Sequence, residues 1–193
     1  MIYFRCGRYR TKDSVSDVRR LIIALHTKEH MEKHTMKSIK ITEITAVRIG
    51  QTEDVKAGTG CTVFLCSEGM RAGLDVRGGG PASRESQLLN PLMSAEVVHG
   101  IVLAGGSAYG LDAAGGVMQY LEEQNIGFDV GVKKVPLVAQ ADIFDLTVGD
   151  ASVRPDKAMG YRAAKQAFTA SNYKDGNYGA TVGKICGMDL LPR

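Results

Sequence analysis

"IVLAGGSAYGLDAAGGVMQYLEE", residues 101–123, changes its period halfway along. Ile101 to Ala104 is an unbroken apolar run, the composition of a strand buried on both faces. Beyond Gly105 and Gly106 the apolar residues Leu111, Ala114, Met118 and Leu121 recur at helical spacing, so one face of a helix is buried. Ser107 stands where a helix N-cap would stand, and Gly127 where a helix would be stopped. A strand that halts at two glycines and continues as a helix is one unit of a mixed fold.

Outward from this unit, the N-terminal side reads as strands. Ile39 to Ile49 alternates apolar and polar residues and predicts a strand, followed by turn chemistry over residues 51–60. "CTVFLCS" (61–67) predicts a second strand, and "EGM" (68–70) a hairpin-like reversal into "RAGLDVRGG", giving an antiparallel meander. On the C-terminal side, residues 128–146 hold one or two short strands. "DKAMGYRAAKQAFTAS" predicts a second amphipathic helix, entered after Pro155 with Asp156 as N-cap. Strands first and then mixed helix and strand predict an α+β fold rather than strict βαβ winding.

At 193 residues the chain is sized for one domain. Its net charge of +3 belongs to the first segment: residues 1–35 hold 8 Lys/Arg against 4 Asp/Glu, while the rest holds 16 against 17. The body therefore has no basic footprint for nucleic acid, and Trp is absent. No apolar run approaches the ~18 residues of a membrane span. Residues 1–37 are expected to be a basic extension, disordered or a short helix over Val15 to Leu25, ahead of a domain over 38–193. His26, His30 and His34 would share a helical face, but no Cys or carboxylate joins them at metal-ligand spacing, so no metal is expected. Cys6, Cys61, Cys66 and Cys186 form no CxxC pair. Cys61 and Cys66, an odd number of residues apart, should lie on opposite faces of a strand. They read as free thiols in a reducing cytoplasm.

Three stretches invite a chemical reading. "GNYGATVGK" (176–184) is not a phosphate loop, because its glycines enclose three residues rather than four and Ile185 replaces the metal-binding Ser/Thr. "GGSAYG" (105–110) is not a nucleophile elbow, because Tyr109 stands where the second glycine belongs. Its bland reading is a capping Ser107 with two glycines for close packing; its functional reading is a helix start lining a polar pocket. In "DVRGGGPASRE" (75–85), Arg77 and Arg84 have Asp75 and Glu85 as nearby partners, and pairing explains them as well as substrate binding does.

Taken together, "TGCTVFLCSEGMRAGLDVRGGGPASRE", "LLNP", "IVLAGGSAYGLDAAGGVMQYLEE", "GFDVGVKKVPLV", "VGDASVRPDKAMGYRAA" and "GNYGATVGK" resemble peptidase family S58 over about Ile39 to Gly187. The resemblance implies an α+β fold of layered αββα type, shared with ornithine acetyltransferases and incomplete here at its C-terminus. It implies a self-processing hydrolase that removes N-terminal residues from small peptides, amides or esters. The nucleophile would be the Ser or Thr that begins a β-chain, no cofactor would be needed, and αβ units would assemble as homo-oligomers. Departures accompany the match. The glycine motif and the Ser/Thr expected after Lys184 are not in these residues, so the chain is expected to be truncated before its processing site and inactive alone. Gln140 and Asp142 occupy the positions of the family's amine-binding Glu and oxyanion Tyr. Asn177 matches the family's oxyanion Asn. Gly105, Gly106 and Ser107 complete the expected binding set. The competing expectation is a non-catalytic binding or assembly subunit that pairs with a separate β-chain.

Overall fold

The computed structural model describes residues 2–5 and 38–180. The helix expected over Val15 to Leu25, the three histidines and the chain after Ala180 lie outside the described residues.

Six strands form the main sheet. These are β1 (Ile2–Arg5), β2 (Arg48–Asp54), β3 (Thr59–Leu74), β4 (Ala82–Arg84), β5 (Val98–Ala104) and, after a small hairpin, β8 (Val138–Asp142). The hairpin is β6 (Phe128–Asp129) with β7 (Lys134–Val135). β3 organises the sheet. Its first half pairs antiparallel with β2 on one side and β5 on the other, and its end pairs with β1. β5 continues to β8 in parallel, and β8 to β4 antiparallel.

Two strand boundaries differ from the sequence reading. The strand expected over Ile39 to Ile49 begins only at Arg48 and runs on through Asp54. Ile41–Glu43 is instead a 3-10 turn, and Ile41 and Ile44 pack on the core from there. The alternation marked Val47 and Ile49 as buried, but Ile39 is exposed and no strand forms before Arg48. Nor does the chain reverse at Glu68–Met70. β3 bulges, since Leu65 faces Gly100 while Met70 already faces Val98. Gly69 adopts φ +80 within the bulge and its carbonyl accepts from Cys66 Sγ, so the chain absorbs the extra residues and continues.

Helices α1 (Ala113–Glu123) and α2 (Lys157–Thr169) lie on one face of the sheet. Cys61, Val63, Leu65, Val102 and Val138 meet Ala114, Val117, Leu121, Ala163 and Ala164 there with essentially no exposed area. Each large apolar side chain so buried stabilises the fold by about 1.5–3 kcal/mol. The helices approach closely because Gly116 and Gly160 have no Cβ; one at either position would collide with the backbone of the other helix, at Lys157 O or Ala113 O. The opposite face carries a second cluster around Ile49, Cys66, Met70, Val98 and Ile101. Cys61 and Cys66 thus fall on opposite faces, as their spacing requires. The fold is α+β: one mixed sheet with both described helices on one face.

As expected, α2 starts at an Asp156 cap, whose Oδ1 accepts from Met159 N at 2.7 Å. The end of α1 differs: the left-handed residue is Asn125 at φ +56, just after the last turn, rather than Gly127.

Candidate functional site

The C-terminal ends of the parallel neighbours β5 and β8 lie side by side, and the chain leaves β5 through Gly105, Gly106 and Ser107. Crevices beyond the carboxyl ends of parallel strands are where α/β proteins place ligands. The exit is sharp. Gly106 has φ +82 and Ser107 φ +53, the latter uncommon for a residue with a side chain. Ser107 therefore opens a 3-10 segment, Ser107–Asp112, from a left-handed conformation. Gly106 takes the N-cap position, with no side-chain cap bond. The capping role read for Ser107 does not occur, because a capping side chain needs extended backbone at its own residue.

A buried carboxylate holds this turn. Asp145 is 2% exposed; its Oδ1 accepts from Gly106 N at 2.6 Å and its Oδ2 from Thr59 Oγ1 at 2.8 Å. Gly105 is a glycine because a Cβ there would drive into Asp145 Oδ2. Sequence reading missed Asp145 and Thr59. The available signal was one Asp between Phe144 and Leu146, a charge set in an apolar run.

Gln140 and Asp142 point from β8 toward the helices. Gln140 is 2% exposed and both ends of its amide are hydrogen-bonded. Nε2 donates to Gly110 O and to Asp142 Oδ1, both at 2.7 Å, and Oε1 accepts from Ala114 N at 2.9 Å. The side chain joins β8 to the first turn of α1, and both its N–H bonds are committed to protein, leaving none to a ligand. Asp142 Oδ2, by contrast, is hidden from solvent without a hydrogen-bond partner among the described residues. Burial raises the Asp142 carboxyl to about 7, against the lowering effects of the Gln140 donor and the Ala104 backbone and with a further push from Asp145. Beside it, burial pushes the Cys61 thiol up to about 12, so that thiol is no nucleophile. An open groove of about 670 Å³ passes Asp142, walled by Asp75, Arg77, Pro81, Ser83 and Ala141. Arg77 Nε binds Asp75 at 2.8 Å on this wall, so that pair is structural and exposed. Arg84 Nη2 reaches Met118 Sδ.

The expected site residues do not all converge. Cys61, Val63 and Leu65 face the helices, so Thr62 faces away from them, and the segment carrying Asn177 lies on that far side. It is anchored through Gln51, whose Oε1 accepts from Lys174 N and whose Nε2 donates to Thr62 Oγ1 and Lys174 O. A Cβ on Gly179 would collide with Thr62 Oγ1. Asn177 itself is exposed. Strand parity thus sets Asn177 on the opposite face from Gln140 and Asp142, and a set comprising all three is not assembled by the described residues. Gly60 links the two faces, since its carbonyl accepts from Gly105 N and a Cβ on it would collide with Gly179 O. His99 lies at the other end of β5, about 20 Å of strand from Ser107. Its Nδ1 accepts from Leu137 N, and burial lowers its pKa. His99 and Ser107 therefore form no pair. Among the described residues no cluster of three or more His, Cys, Asp or Glu could hold a metal, and no helix is long and apolar enough to cross a membrane.

Comparison with known proteins gives this arrangement its family. The profile of peptidase family S58 matches residues 40–188. The chain belongs to peptidase family S58. An uncharacterized aminopeptidase of Mycobacterium leprae is 40% identical over 162 residues, which are 77% of this chain and 45% of that protein. An uncharacterized aminopeptidase of Mycobacterium tuberculosis is 42% identical over 135 residues, 66% of this chain and 39% of the relative. A 6-aminohexanoate-oligomer endohydrolase of Paenarthrobacter ureafaciens is 32% identical over 145 residues, 75% of this chain and 38% of that enzyme. The S58 chain spans less than half the length of these relatives.

Proposed function

We propose that this chain supplies part of the substrate site of an amide-bond hydrolase of the S58 type, acting on small peptides, amides or esters by removal of N-terminal residues. The observation that carries the reading is the turn at Gly105–Ser107, set against Asp142 inside the segment matched to the family. The names of the relatives, aminopeptidase and oligomer endohydrolase, support an amide bond as the target. In this reading the nucleophile is the N-terminal Ser or Thr of a self-processed β-chain. It comes from sequence outside these 193 residues, so the chain alone does not turn over substrate. The layered αββα architecture belongs to the same proposal, the second sheet and helical layer being completed by that β-chain.

Assay of the 193-residue chain on aminoacyl p-nitroanilides and on 6-aminohexanoate oligomers tests this. The assay is run alone and with the C-terminal portion of the Mycobacterium leprae relative added as a separate polypeptide. Hydrolysis is expected only in the mixture. Turnover by the chain alone, or its absence in a mixture that demonstrably forms a complex, would overturn the reading. A second reading, a non-catalytic assembly subunit, draws on apolar side chains left exposed on the sheet side, Leu103 and Phe144. A complex that forms but never hydrolyses favours it.

A further inference from the structure

We propose that Asp145 is a positioning residue of this site: its buried carboxylate fixes the turn Gly105–Gly106–Ser107. The use of that turn for substrate rests on the hydrolase reading above; the positioning itself rests on geometry. The two oxygens of Asp145 are divided between the exit of β5, at Gly106 N, and the start of β3, at Thr59 Oγ1. Ser107 N donates to Ile143 O at 3.0 Å, two residues before Asp145, so one short segment grips both sides of the turn. The turn needs gripping, because a left-handed serine is disfavoured and persists only where its surroundings over-determine it.

Two hydrogen bonds would not by themselves require a charge. Burying a carboxylate is costly, and a neutral amide could make one of the same bonds and reverse the other. What the charge adds is a field on Asp142, which it biases toward the protonated form. The other groups facing Asp142 are the Cys61 thiol of β3, Gln140 of its own strand and Gly110 of the 3-10 segment, with Asp75 and Arg77 across the groove. Asp145 thus sets the path of the backbone beside the site, and its charge adds to the burial that keeps the proton on Asp142.

The test uses the 193-residue chain in two variants, followed by NMR. Asp145→Asn keeps the shape and one acceptor but removes the charge, the Thr59 hydroxyl turning to accept from the new amide. Thr59→Val keeps the charge and removes one anchor. In Asp145→Asn the Asp142 carboxyl is expected to titrate lower than in the parent while exchange of the core Leu121 amide, which loosened packing would quicken, stays unchanged. In Thr59→Val, Gly106 amide exchange is expected to quicken about 10-fold relative to the core amide of Leu121, while Asp142 still titrates high. An unmoved Asp142 titration in Asp145→Asn, or unmoved Gly106 exchange in Thr59→Val, overturns the proposal. If Asp145→Asn does not fold, the Thr59→Val exchange decides. Failure of the hydrolase reading is separately visible, as a mixture without turnover in which these NMR changes still occur.

Discussion

At the residue scale, the consequence of burying Asp142 is a stability that falls as pH rises. Burial first, then the charge of Asp145, outweigh the Gln140 donor and hold the carboxyl at about 7 in the fold. Between about pH 4 and 7 the folded chain therefore keeps a proton that the unfolded chain releases, so this group's contribution declines across that window and is flat above it. Asp142→Asn retains an acceptor for Gln140 and cannot ionise. It should be more stable than the parent at pH 8, by about 1–3 kcal/mol once partial exposure is discounted, and nearly equal at pH 4. Urea midpoints for both proteins at the two pH values check this; equal midpoints at pH 8 would sink it. Gln140→Ala removes three hydrogen bonds and opens a cavity, and should cost about 2–4 kcal/mol by the same measurement. Sequence position marked Gln140 and Asp142 as worth naming, and their shared parity on β8 was legible. What was not legible is what lies above them. The 3-10 segment brings Gly110 O, and the start of α1 brings Ala114 N, onto Gln140, so that the side chain also ties strand to helix.

At the scale of elements, types were read more reliably than limits. The glycine pair at 105–106, the helical spacing after it and the Asp156 cap each have a local cause and came out in place. Local patterns failed where tertiary pairing decides. The Glu68–Met70 stretch carries the chemistry of a reversal, yet pairing on both sides of it keeps β3 running. Ile41 and Ile44 sit in a stretch that reads as a strand, but they reach the core from a 3-10 turn. The crossing of α1 and α2 offers a direct check on this packing. Gly160→Ala would set a methyl against Ala113 O, and the backbones must part to admit it. A loss of about 1–3 kcal/mol is expected, despite alanine's higher helix propensity, with the melting temperature as readout. A stabilised variant would mean that the helices are not in backbone contact. Asp156→Ala should cost about 1 kcal/mol through the lost cap.

At the scale of the molecule, the two faces of the sheet are finished differently. The helical face is closed, with Val63, Val102 and Leu121 fully buried. The far face is closed over Ile49, Met70 and Ile101 but thins toward the end of β5, where Leu103 is 40% exposed. Leu103 lies on the face opposite the helices, as its neighbour Val102 lies within the helical core. If the site is completed by chain supplied from elsewhere, this is the surface against which it should pack. Leu103→Lys separates folding from assembly. A solvent-facing substitution should change the stability of the chain itself by no more than about 0.5 kcal/mol. It should nevertheless weaken association with the added C-terminal portion of the Mycobacterium leprae relative, because an ammonium would then be buried without a partner. Sedimentation of the mixture reads the association, and a urea titration of the variant alone reads the folding. Unchanged association would place the joining surface elsewhere on the molecule, while a variant that no longer folds would mean that Leu103 already serves the core.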